Sequence, residues 1–146
     1  MQLSLNELHR KTRRPLEAWW AKVFLVPIAS FLTWLLLRVF PRIHPNHVTT
    51  FSLVLGLGSG LLFAVGETLT AVIVYQFCMA LDWVDGKVAR LTGKTSAFGA
   101  FYDGLVNHLV YIFNLIGLSF GIGLTWHSML LVVSLLGLRA INNYLN

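Results

Sequence analysis

The sequence predicts an all-α integral membrane protein: an N-terminal amphipathic interfacial helix followed by about four transmembrane helices. Three observations carry this. Hydrophobic residues make up 56% of the chain and charged residues only 12%, about half the ~25% charged residues of a soluble domain. Apolar stretches approaching the length of a bilayer core recur along the chain, separated by Gly and Pro turn signals. The cations between those stretches collect on one side if the first stretch does not cross. At 146 residues the chain is a single domain. It divides into a cytoplasmic or interfacial segment, 1–44, and a transmembrane bundle, 45–146.

The first segment carries much of the net charge of +5, in Arg10-Lys11-Thr12-Arg13-Arg14 with Lys22 close behind. Beside so much apolar sequence, such a run suits anionic lipid headgroups rather than nucleic acid. Leu3 to Trp20 is polar and basic and does not read as a cleaved signal peptide. The single cysteine, Cys78, forms no intramolecular disulfide and reads as a small core residue.

The first apolar stretch, Val23–Phe40, admits two readings. If it spans, the basic N-terminus lies opposite Arg42, while Lys87, Arg90 and Lys94 share Arg42's side. If it lies in the interface, all these cations share one face, which the positive-inside rule makes cytoplasmic. Pro27 and the Trp19-Trp20 pair suit the interfacial reading, whereas Leu35-Leu36-Leu37 suits a span equally well. Pro41 and Pro45-Asn46 then turn the chain into the second stretch, Val48–Val65, which is long enough to cross. Its Gly56-Leu57-Gly58-Ser59-Gly60 run reads as close helix packing through small residues. After Gly66-Glu67-Thr68 comes Leu69–Leu81, which crosses only if its helix runs on through the acidic residues beyond it. Thr92-Gly93-Lys94 separates it from Phe98–Leu118. Gly121-Ile122-Gly123 precedes Met129–Leu138, a span if it starts near Trp126 and passes Arg139.

Three of the six carboxylates fall between Asp82 and Asp103. Acidic side chains in so apolar a setting are costly, which marks them as functional. Asp82 and Asp85 are three apart and share a helix face with Ala89; Gly86 leaves room for a ligand. Asp103 and Asn107 are four apart on the next helix, with Gly99 one turn earlier. Two antiparallel helices joined at Leu91–Ala97 bring these groups together near the cytoplasmic surface. Three converging carboxylates repel one another unless a cation intervenes. Their hard oxygens select Mg²⁺, Mn²⁺ or Ca²⁺, and Mg²⁺ commonly shares its coordination with phosphates. Arg90, with Lys87 and Lys94, could hold further phosphate charge. A plain alternative is that the carboxylates pair with Lys87 and Arg90 at a helix end.

The pattern Asp82-x2-Asp85-Gly86-x2-Ala89-Arg90-x8-Gly99-x3-Asp103-x3-Asn107 resembles the motif of the CDP-alcohol phosphotransferase family, matching seven of its eight fixed residues. Pro45-Asn46-His47-Val48-Thr49 is similar to the Pro-Asn-x-x-Thr sequence with which family members open a transmembrane helix, and they carry an amphipathic cytoplasmic helix before it. The resemblance implies transfer at the cytoplasmic membrane face. A CDP-linked donor such as CDP-diacylglycerol would meet an acceptor alcohol, and CMP would leave. It further implies two divalent cations, Mg²⁺ or Mn²⁺, bridging the donor pyrophosphate, with Asp82, Asp85 and Asp103 among their ligands. Gly86 and Ala89 match positions against the nucleotide, Arg90 a basic residue beside it, and Gly99 the second glycine. Lys94 and Arg139 are candidates for an acceptor or lipid phosphate.

Two departures stand out. Where the family carries a fourth Asp, thought to ligate metal and take the acceptor's proton, this chain has Asn107. An amide is a neutral, weaker ligand and not a general base. His108 is adjacent, but on a helix it points about 100° away. Family cores also have six transmembrane helices, and this sequence stops at Asn146 after the predicted fourth, either as a fragment or as a reduced form. These departures leave a second reading open: a catalytically silent relative serving as a structural or lipid-binding subunit, as a homodimer or in a larger membrane complex. A metal-binding membrane protein with no nucleotide is a third.

Smaller features read as local. His44 and His47 flank the Pro-Asn elbow and suit hydrogen bonding at the interface. Trp126 and His127 sit at a predicted outer cap, and Glu67 is a solvated cap residue.

Overall fold

The computed structural model describes residues 26–123, 125, 127–128 and 130–135. Four helices follow in order: α1 (Val26–Val39), α2 (Pro45–Ala64), α3 (Thr68–Thr92) and α4 (Ala97–Gly121). No strand occurs among the described residues. Residues 127–128 and 130–135 are also helical, and the Tyr111 hydroxyl on α4 donates to the Leu135 carbonyl at 3.1 Å. The basic run at 10–14, Lys22, the Trp19-Trp20 pair, Trp126 and Arg139 lie outside the described residues.

Helices α2, α3 and α4 are long and apolar enough to cross a membrane. For α3 this depends on the helix running straight through the acidic window. It does so for 25 residues, about 37 Å at 1.5 Å per residue. Many large side chains of the bundle, among them Phe51, Leu61, Leu69, Phe77 and Phe120, are exposed on its surface. Lipid solvates such an apolar exterior, while helical hydrogen bonding satisfies the backbone within.

Helix α1 is described over 14 residues, Val26–Val39. It packs on α3 rather than standing apart: Ala29 of α1, Val48 of α2, and Val84 and Val88 of α3 form one buried cluster, with Leu32, Leu36 and Leu37 against it. Lys87, only 2% exposed, reaches from α3 to the Ser30 hydroxyl at 3.1 Å.

Helix α2 is the spine of the bundle, packing extensively against both α3 and α4, which touch each other at only a few points. Small residues make this possible. A side chain at Gly56 would collide with Val110 of α4 and press on Cys78 Sγ of α3; one at Gly60 would strike the Phe113 ring. On the facing helix, a Cβ at Gly117 would run into the Gly60 carbonyl. The glycine-rich run is thus a packing surface, as expected, except at Gly58, where an added Cβ meets nothing within 4 Å. The backbones approach closely enough for a polar clamp: Ser59 Oγ donates to Asn114 Oδ1 at 2.6 Å, and Asn114 Nδ2 donates to the Gly56 carbonyl at 2.8 Å. Close approach through small residues and interhelical hydrogen bonds are what hold helices together in lipid.

Candidate metal and phosphate site

The turn between α3 and α4 sets the site. Gly93 ends α3 in the left-handed conformation, φ 67°, where a side chain would be strained. Ser96 starts α4 as its cap, its Oγ accepting from the Gly99 amide at 3.0 Å. Lys94 ties this turn to the elbow between α1 and α2: its ammonium donates to the Arg42 and Ile43 carbonyls at 3.2 and 3.3 Å. At the elbow itself, His44 Nδ1 accepts from the Asn46 amide at 3.3 Å, and Pro45 occupies the first helical turn, where its missing N–H costs nothing. A Cβ on Gly99 would lie 3.5 Å from Asn46 Oδ1, so the elbow and the start of α4 are neighbours.

At one of the few places where α3 and α4 meet, the acidic residues converge. One oxygen from each of Asp82, Asp85 and Asp103 lies within 4.8 Å of the others. Asp85 is 4% exposed, and the Thr49 hydroxyl of α2 donates to its Oδ2 at 2.6 Å. Asp82 and Asp103 are half-buried. Between them stands Asn107, whose Nδ2 donates to Asp82 Oδ1 at 2.6 Å and to Asp103 Oδ1 at 3.0 Å. Both partners are carboxylate oxygens, so the amide must present its nitrogen here and not its oxygen. The cluster therefore draws on three helices, and on residues 36 and 25 positions apart in the chain.

The other expected residues distribute around it. Gly86 and Ala89 lie half-buried on α3, Arg90 is exposed in its last turn, and Gly99 is half-buried at the head of α4. His108 is exposed, with Nδ1 2.8 Å from the Gly104 carbonyl of its own helix. Thr49 is the residue that sequence reasoning did not place at the site. Its only signal was its position one turn beyond Pro45, which marked it as part of a helix opening.

The donor set suits a divalent cation. Octahedral Mg²⁺ with bonds near 2.0–2.1 Å holds its oxygens roughly 3–4 Å apart, and the three carboxylates need contract only slightly to close on one. A family model, CDP-alcohol phosphatidyltransferase, matches residues 42–144 of the chain, spanning every residue of this cluster. The chain belongs to the CDP-alcohol phosphatidyltransferase family. Members of that family are membrane transferases of phospholipid synthesis that use a divalent metal.

Individual relatives agree. The chain is 31% identical to Cholinephosphotransferase 1 of Rattus norvegicus over 139 residues, 86% of this chain and 34% of that protein. It is 32% identical to Archaetidylinositol phosphate synthase of Pyrococcus horikoshii over 84 residues, 58% of this chain and 45% of the relative. A third relative is the Bifunctional IPC transferase and DIPP synthase of Thermococcus kodakarensis, 35% identical over 69 residues, 47% of this chain and 16% of that protein. The chain thus spans less than half the length of each of these relatives.

Proposed function

We propose that this protein transfers a phospho-group from a CDP-linked donor, such as CDP-diacylglycerol, to an alcohol at the cytoplasmic face of a membrane, releasing CMP. The observation that carries the reading is the convergence of Asp82, Asp85 and Asp103 within 4.8 Å in a family member. In this reading the three carboxylates hold Mg²⁺ or Mn²⁺, which when bound neutralises charge on the donor's phosphates. Gly86, Ala89 and Gly99 leave space for the nucleotide, and Arg90 supports phosphate charge. Arg139 remains a candidate for the acceptor or a lipid phosphate. Lys94 is one too, although in this structure its ammonium bonds the elbow carbonyls. Helix α1 lies in the headgroup plane beside the site, and the basic residues contact anionic lipid.

The chemistry forms a bond from the acceptor hydroxyl oxygen to the donor's outer phosphorus. The bond from that phosphorus to the CMP oxygen breaks, CMP keeps the electron pair, and the hydroxyl proton must go to a base. Asn107 stands beside Asp82 and Asp103 as a hydrogen-bond donor, and an amide does not take up that proton. Loss of a general base typically costs about 10²–10⁴-fold. This observation favours a second reading, in which the protein has become a silent structural or lipid-binding subunit, as a homodimer or within a larger complex.

CMP release separates the two. The protein is assayed with CDP-diacylglycerol and CDP-choline, Mg²⁺ or Mn²⁺ and a panel of acceptor alcohols that includes diacylglycerol and inositol phosphate, beside Asn107→Asp. Release by the native chain, raised about 10²–10⁴-fold by Asn107→Asp, supports the enzyme. Cytidine nucleotide binding without release by either form supports the subunit.

A further inference from the structure

We propose that Asn107 restricts this centre to a single divalent cation, by committing with its amide the carboxylate oxygens that a second ion would have to share. This rests on the reading of the acidic cluster as a metal site. Paired ions in phosphoryl-transfer centres sit about 3.5–4 Å apart, close enough that they share carboxylate ligands between them. Here Asp82 Oδ1 and Asp103 Oδ1 accept from one and the same amide nitrogen, at 2.6 and 3.0 Å. The hydrogens on that nitrogen lie between the two carboxylates, so both oxygens are already engaged by the amide.

The third carboxylate is constrained from another side. Asp85 Oδ2 accepts from the Thr49 hydroxyl at 2.6 Å in a buried setting. Each of the three carboxylates therefore has at least one oxygen held by a protein donor, and those bonds join the three helices at the cluster. Turning the Asn107 amide over would present its oxygen to two carboxylates at these distances, exchanging two hydrogen bonds for two repulsions. The amide is thus a neutral brace that keeps two like charges together and leaves the trio arranged for one ion. A carboxylate at position 107 reverses this. It sets a fourth anion within hydrogen-bond distance of two others, which only added positive charge can offset.

The test is ion stoichiometry. The full chain in lipid nanodiscs is titrated with Mn²⁺ alone, and free Mn²⁺ is followed by electron paramagnetic resonance. The expected result is one Mn²⁺ per chain with the six-line signal of an isolated ion, against two per chain with a spin-coupled signal in Asn107→Asp. Two coupled ions in the native chain would overturn the inference while leaving the proposed metal site intact. No specific Mn²⁺ in either protein would overturn the metal site itself. Because the native chain alone can yield the contrary result, the inference stays testable even if Asn107→Asp does not fold.

Discussion

The hydroxyl of Thr49 donates to Asp85 Oδ2 at 2.6 Å across the interface of α2 and α3. The same hydroxyl lies 3.3 Å from the Pro45 carbonyl one turn earlier on its own helix, so it fixes the carboxylate relative to the elbow. Asp85 is buried and close to two further acids, and the neutral donor orients it without adding charge.

Thr49→Val keeps the shape of the side chain and removes the donor. A metal ligand deprived of its orienting partner typically loses 10–100-fold in metal affinity, so we expect Mn²⁺ binding to weaken by about that factor. Thr49→Ser should restore it. Calorimetric titration of the three proteins checks this, and equal affinities for Val and Thr would mean that the bond positions nothing.

The packing surface on α2 makes a steric prediction. Gly60→Ala places a methyl group against Phe113, and Gly117→Ala places one against the Gly60 carbonyl. Overpacking of this kind costs about 1–3 kcal/mol. The larger effect belongs to Gly117, because backbone cannot swing aside as a ring can. Gly58→Ala meets open space and should leave thermal unfolding in detergent unchanged.

Asn114→Leu removes the clamp that joins Ser59 and the Gly56 carbonyl to α4. Interhelical hydrogen bonds within membranes contribute about 0.6–2 kcal/mol, and the orphaned Ser59 keeps its bond to the Gly56 carbonyl at 2.8 Å. The expected outcome is a destabilisation in that range, measured by reversible unfolding in mixed micelles. It should come without any change in Mn²⁺ affinity, since the clamp lies seven residues along α4 from Asn107.

Lys94 offers a test of how the loop is held. Lys94→Met cuts both bonds to the elbow carbonyls while keeping the aliphatic stem. The lysine is exposed, so global stability should fall by less than about 1 kcal/mol. Amide hydrogen exchange should nevertheless quicken at residues 42–47, with the amides in the middle of α2 unaffected.

Much of this molecule could be read from its sequence. The scarcity of charge and the length of the apolar runs required membrane helices, because unpaired backbone cannot stand in lipid. The i, i+3 and i, i+4 spacings put Asp82 with Asp85 and Asp103 with Asn107 on common faces, and Gly93 supplied the left-handed stop that folds α4 back toward α3. The glycine run showed which helix would be approached closely, though not that Gly58 faces away from the contact. Other features needed the tertiary structure. That Thr49 of α2 completes the cluster, that Lys94 serves the elbow, and that the Asn107 nitrogen braces two carboxylates from different helices are relations between residues 25 to 52 positions apart. Periodicity fixes a side chain's direction about its own helix axis. Only the packing of α2 between α3 and α4, set by where glycine lets backbones meet, fixes one helix's rotation and depth against another and so decides which polar groups touch.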